Sequence, residues 1–500
     1  MKAQTVKDYL AVHTWVGILC GLVLYVAFYA GAFSMLEAEI TRWTQPPAPA
    51  SSAISNDGDA LAKAFLDANP GIKGRVRLRW PGADNAQPAL AHMVRGEDPV
   101  WWQLGTDGQL LRMDSMPRDD DTSGNFVDYL HRKGGLPIPL EVAEPLIGLV
   151  SLAYALALVS GVVVLLPSLV KDLFYLRLGA NLKRMWLDVH NLLGVASLPF
   201  HLVIALSAAV FGLHDMVYLA QDKFIYQDGL RPTVARDSIA PPKVVRTDWL
   251  PPSEIRHRVQ QQVPDFRPLA LDYVMQPTGT VAVVGGSDER NFQRASRYGL
   301  AFVNLGNGEI YDRNYLPGAS GAVSTALLSS LFSLHFGSYG GDTVRVLYLL
   351  LGLSGALLFY TGNLLWIETR TKRARRPQDG GAMERPRHVR IVSALTQGVC
   401  LGCAAALPAT LVLAHWFAPR LADLNVLHQS VFYAVFAACI TWAIWRGTER
   451  AARSLLWFTA LCNALVPLAV ALSPGPDGVL LGATCMVLAL FFGWLAWRQR

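Results

Sequence analysis

Eight stretches of this chain are apolar for longer than a soluble fold tolerates: roughly residues 10–36, 143–167, 186–213, 341–366, 391–414, 429–446, 454–473 and 478–497. A helix that crosses a bilayer needs about 20 mostly apolar residues, because backbone polar groups find no water in lipid and must bond within the helix. The sixth stretch is the shortest. Only 16% of residues are charged, against about 25% in soluble chains. The expected fold class is a polytopic α-helical membrane protein with about eight spans. The first stretch follows Lys2 and Lys7, is too long for a signal peptide and lacks a small-x-small cleavage site, so it reads as a retained signal-anchor.

The loops give an orientation. Lys171, Arg177, Lys183 and Arg184 lie between spans two and three. Arg370, Lys372, Arg373, Arg375, Arg376, Arg385, Arg387 and Arg390 lie between spans four and five. Arg446, Arg450 and Arg453 follow span six, and Arg498 and Arg500 end the chain. With the N-terminus inside, every cluster falls on the cytoplasmic side, as the positive-inside rule requires. Both termini are then cytoplasmic, and the polar stretches 40–140 and 215–340 lie outside. The net charge of +6 follows from this loop bias and calls for no nucleic-acid partner.

The first four spans repeat one unit. Span one opens LAVHTWVG, with His13 and Gly17; span three opens LDVHNLLG, with His190 and Gly194. Each unit continues into an outside domain that ends in a Leu-His pair, Leu130-His131 and Leu334-His335. The spans that follow carry Ser160-Gly161 and Thr361-Gly362 at matching depth. The outside domains each open with a helical stretch (ALAKAFLDANP; PPSEIRHRVQQQVPD) and hold strand–turn–strand patterns at 101–110 and 301–310. A small α+β fold is expected in each. The organisation is span 1 (1–39), outside domain 1 (40–142), span 2 with its loop (143–185), span 3 (186–214), outside domain 2 (215–340), span 4 with a basic loop (341–390) and a four-span bundle (391–500).

Histidines inside a membrane are costly and stand as functional candidates. His13 and His190 sit at one depth on neighbouring spans, where two imidazoles can take both axial positions of a haem iron. Zinc is disfavoured, since it wants four ligands and no Cys, Asp or Glu lies beside them. His201 lies eleven residues after His190, about 16 Å further along a helix and on the same face, as a second haem requires. Pro199 is expected to kink that helix. The partner of His201 is His335, favoured for its apolar run TALLSSLFSLHFG, or His131, which precedes Arg132 and Lys133. His131 could instead contact a haem propionate or the substrate. The bland reading of all five is helix-packing hydrogen bonding. His92, His214, His257, His388, His415 and His428 read as surface or interface residues, with His415 and His428 able to face each other across spans five and six. All six cysteines (Cys20, Cys400, Cys403, Cys439, Cys462, Cys485) lie in apolar segments, so the outside domains have no disulfides and the CxxC of Cys400 and Cys403 reads as packing.

The HxxxG start of span one, the segment DVHNLLGVASLPFH, the run from LHFGSYGG to LLFYTGNLLW and the paired outside domains resemble the PepSY-associated transmembrane family over about residues 5–370. The chain is similar in particular to inner-membrane siderophore ferric reductases of Gram-negative bacteria. That resemblance implies PepSY-like periplasmic domains and b-type haem, two per chain, on His13, His190, His201 and His335 or His131. It also implies a ferric siderophore or other iron chelate as substrate. The electron donor is expected to be a quinol or a cytosolic reductant, and a homodimer is compatible with it. The cytoplasmic loops are too short for a flavin or nicotinamide domain, and no GxGxxG leads into a helix outside the spans. The bundle at 391–500 departs from the four-span core. The rival classes are a PepSY-type binding or regulatory protein for periplasmic peptidases and a transporter component.

Overall fold

The computed structural model describes residues 3–45, 50–82, 86–94, 97, 99–113, 122–168, 177, 181–227, 242–276, 279–288, 299–318, 323–374, 386–421, 423–473 and 476–499. Lys171, Arg375, Arg376, Arg385 and Arg500 lie outside the described residues. The helices are α1 (Ala3–Ser34), α2 (Glu37–Thr44), α3 (Gly58–Ala68), α4 (Ser123–Lys133), α5 (Leu140–Leu165), α6 (Leu182–Ala196), α7 (Leu198–Phe224), α8 (Pro252–Gln262), α9 (Val323–Phe336), α10 (Gly341–Ala374), α11 (Arg387–Phe417), α12 (Leu424–Arg446), α13 (Thr448–Leu472) and α14 (Val479–Arg498). Among the described residues eight helices are long and apolar enough to cross a membrane: α1, α5, α7 and α10 to α14. The chain is a polytopic helical membrane protein with α+β extramembrane structure.

Two compact units form. The helical unit comprises 1–45, 119–217 and 346–500. Its third span differs from the expected single helix over 186–213: α6 ends at Ala196, with Ser197 as its C-cap, and α7 runs on to Phe224. Pro199 is the second residue of α7, a first-turn position where its missing N–H forfeits no helical bond. Helix α4 also belongs to this unit. Thr122 caps its N-terminus by accepting from Asn125 N–H (3.1 Å), and Gly134 ends it at φ 56°, a left-handed position that favours glycine. Its apolar face of Phe126, Val127 and Leu130 is buried. In the C-terminal helices, small residues let backbones approach. A Cβ on Gly398 of α11 would stand 2.6 Å from Ile440 Cα of α12. Buried polar groups fasten α13 to α11: Thr459 donates to Leu401 O (3.1 Å) and Asn463 to Ala404 O (2.9 Å).

The second unit comprises 46–118 and 218–345. Each half supplies the expected helix and a four-stranded meander: α3 with β1 (Gly74–Arg79), β2 (Ala89–Met93), β3 (Val100–Leu104) and β4 (Leu110–Met113), then α8 with β5 (Arg267–Gln276), β6 (Gly279–Ser287), β7 (Gly299–Val303) and β8 (Ile310–Asp312). The hairpin glycines Gly108 and Gly308 take φ 81° and 67°. The halves are not separate folds. β1 pairs antiparallel with β5, which makes one eight-stranded sheet in the order β4-β3-β2-β1-β5-β6-β7-β8. The join pairs two first strands that would otherwise be exposed edges. Arg77 lies directly opposite Asp272 and donates to both its oxygens, at 2.7 and 3.0 Å. Leu61 and Phe65 of α3, Ile255 and Val259 of α8, and Leu78 and Leu271 of the joined strands share one buried core.

Candidate functional site

Three of the five singled-out histidines are held by the same local device. His13 Nδ1 donates to the carbonyl of Ala157 (2.9 Å), and a Cβ on Gly161 would stand 2.9 Å from the His13 ring. His190 Nδ1 donates to the carbonyl of Leu358 (3.1 Å), and a Cβ on Gly362 would stand 3.1 Å from that ring. His131 Nδ1 donates to the carbonyl of Ala27 (2.8 Å), and a Cβ on Gly31 would stand 2.7 Å from it. In each case the glycine lies four residues after the carbonyl, one turn along the same helix face. The missing side chain lets the imidazole lie flat on the helix and reach the backbone. A carbonyl can only accept, so Nδ1 carries the proton in each, and in His13 and His190 the Nε2 lone pair is left for a ligand. Ser160 and Thr361 donate to the same two carbonyls, Ala157 and Leu358, each at 3.0 Å. The Ser-Gly and Thr-Gly pairs of the repeat are thus the two acceptor platforms.

The structure brings His13 and His190 together. Their ring centroids are 6.0 Å apart with an interplanar angle of 73°. The HxxxG glycines follow one turn after each histidine on its own helix. A Cβ on Gly17 would meet no atom within 4 Å, and one on Gly194 would touch only Leu358 Cδ1, at 3.6 Å.

His201 is fully buried, and neither ring nitrogen has a hydrogen-bond partner. It stands among Phe28 (5.4 Å between centroids), Phe200 (5.6 Å) and Tyr154 (6.1 Å), with the backbone of Gly355 beside it. Leaving a buried imidazole unbonded costs about 1–3 kcal/mol. Ala27, which holds His131, and Phe28, which touches His201, are consecutive on α1. The two imidazoles therefore stand at one height of the unit. Gly355 and Gly362 of α10 back His201 and His190 respectively, and seven residues of helix separate two levels by about 10 Å.

His335 lies on α9 in the second unit, with its ring 5.1 Å from that of Phe336. The other histidines go elsewhere. His415 stacks on Trp43 (4.4 Å) and bonds its carbonyl (2.8 Å). His428 is fully buried against α4 rather than facing His415: it bonds Ser123 Oγ at 2.9 Å and stacks on Phe126 at 5.0 Å. Among the described residues no group of three His, Cys, Asp or Glu side chains can hold a metal ion. The six cysteines are free, and all but Cys20 are buried.

Near His131, Arg132 donates through Nε to Glu144 (2.9 Å), with a second contact from its terminal nitrogen, and also reaches Asp128. Burial alone would weaken its charge, but the bonds to Glu144 and the charge of Asp128 outweigh that and raise its pKa. Sequence reasoning found the histidines and the SG and TG pairs but not the carbonyls of Ala27, Ala157 and Leu358. A backbone acceptor has no residue signature. It also missed the aromatic shell of His201, which is drawn from three helices.

No curated protein matches the chain. The model of the PepSY-associated TM region matches residues 10–369, a span that holds both histidine levels and both halves of the sheet. The chain belongs to the PepSY-associated transmembrane family.

Proposed function

We propose that this protein is a haem-bearing reductase of the bacterial inner membrane that delivers electrons to a ferric siderophore or similar iron chelate in the periplasm. The observation that carries the reading is the pairing of His13 and His190. Two imidazoles on one iron, each bonded at about 2 Å, place their ring centroids about 6 Å apart, and these two stand 6.0 Å apart. Both rings offer Nε2, both are followed by a glycine on the same face, and among the described residues no third His, Cys, Asp or Glu joins them as zinc would need. The donor set therefore fits a haem b, which His13 of α1 and His190 of α6 would hold.

His201 and His131 would hold a second haem. The orphaned nitrogens of His201 and the fixed tautomer of His131 support that pair, as does their common height on α1. His335, favoured on sequence grounds, is the alternative partner. When bound, haem supplies reversible one-electron redox chemistry. The chain's own residues orient the imidazoles, exclude water with Phe28, Phe200 and Tyr154, and keep two levels about 10 Å apart along α10. With the basic loops on the cytoplasmic side, as the positive-inside rule favours, the His13 level would lie near that face, where a quinol or cytosolic reductant would give the electron. The iron of the chelate accepts it, and the ferrous product is bound far more weakly and leaves.

The test is rapid mixing of the dithionite-reduced, desalted protein with a ferric siderophore, with a ferrous chelator as trap. Loss of the reduced b-type bands with one trapped ferrous ion per electron is the expected result. Reduced bands that persist would overturn the assignment of substrate.

A further inference from the structure

The family match ends at residue 369, yet two helices beyond it, α11 and α12, pack against the element that carries His131. Helix α4 packs on α1 through His131 and on α5 through Arg132 and Glu144. Those contacts fix only its C-terminal half. Its N-terminal half is packed between α2 and the C-terminal bundle: His428 of α12 bonds Ser123 Oγ at 2.9 Å, both residues are fully buried, and the imidazole stacks on Phe126 at an interplanar angle of 19°. Phe432, one turn further along α12, meets Phe126 edge to face at 5.8 Å. Asp423 caps α12 one turn before His428, accepting from Asn425 N–H at 2.8 Å. Helix α2 is bound to the same bundle by Trp43 on His415 and by Arg42, which donates to Asp477 at 2.7 Å. On its other side α2 meets α4 where Gly124 leaves no room for a Cβ, which would stand 2.4 Å from Thr41 Oγ1.

We propose that the C-terminal bundle is a clamp for α4 and that His428 is a positioning residue, which sets the direction of the His131 imidazole through Ser123 and Phe126. Ser123 and His131 are eight residues apart on one helix, about 12 Å. A tilt released at one end therefore turns the imidazole at the other. The inference rests on the haem reading in so far as His131 is a ligand.

The variants are His428→Phe, which keeps the stacking and loses the hydrogen bond, His428→Gln, which can restore it, and Ser123→Ala. Two measurements are made on the full-length protein: amide hydrogen exchange of residues 123–133, and the low-temperature EPR spectrum and midpoint potential of each haem. H428F and S123A are expected to raise exchange in α4 several-fold and to shift the outer haem signal while leaving the signal that H190A abolishes unchanged, and H428Q is expected to return both toward wild type. Unchanged exchange overturns the clamp. Raised exchange with an unmoved outer haem signal overturns the positioning role. A wild-type protein without haem removes the haem reading and the positioning role together, while the exchange result still decides the clamp.

Discussion

The imidazoles of His13 and His190 stand with centroids 6.0 Å apart and planes at 73°, each tied through Nδ1 to the carbonyl four residues before a glycine on the following span. The arrangement is a two-fold repeat written in side chains: His13, Ala157, Ser160 and Gly161 in the first copy, and His190, Leu358, Thr361 and Gly362 in the second.

Gly161→Ala and Gly362→Ala would each push a methyl to about 3 Å from an imidazole ring. Overpacking of this kind costs about 1–3 kcal/mol. Each variant should lower the melting temperature and reduce the inner haem content, measured by thermal unfolding in detergent and by haem absorbance.

Gly17→Ala separates packing from ligand binding. A Cβ there meets no protein atom within 4 Å, and alanine is favoured over glycine in a helix by about 1 kcal/mol. The haem-free protein should be as stable as wild type or more so, while inner haem occupancy falls. Full occupancy in this variant would show that no macrocycle lies against Gly17.

The join of the two half-sheets should depend on Arg77 and Asp272, whose side chains are 26% and 10% exposed. Asp272→Ala leaves a partly buried guanidinium without its carboxylate and should cost about 2 kcal/mol, discounted from the range for a fully buried pair because Arg77 retains some solvent. Arg77→Ala with Asp272→Ala should cost less than the sum of the single changes in a thermal-unfolding cycle. Lys63→Ala, which breaks the exposed pair with Asp67, should change nothing measurable.

The helical part of this architecture was legible because lipid makes long apolar runs obligatory, and the repeat was legible because it reuses short motifs around His13 and His190. The edge pairing of β1 with β5 was not. It joins strands nearly two hundred residues apart, and an edge strand carries the same alternation whether or not it finds a partner. The break at Ser197 shifted the third span because Pro199 opens a new helix rather than bending an old one. His428 read as a bystander at a span end, since its partner Ser123 lies in a different segment and only the fold makes them neighbours.

Pyridine-haemochrome stoichiometry on the protein purified from haem-replete cells, with the His→Ala variants at positions 13, 190, 201, 131 and 335, tests the central claim most directly. The expected result is two haems b per chain in the wild type, one in each of H13A, H190A, H201A and H131A, and two in H335A. A colourless wild type, or an H190A protein with undiminished haem, would contradict the account.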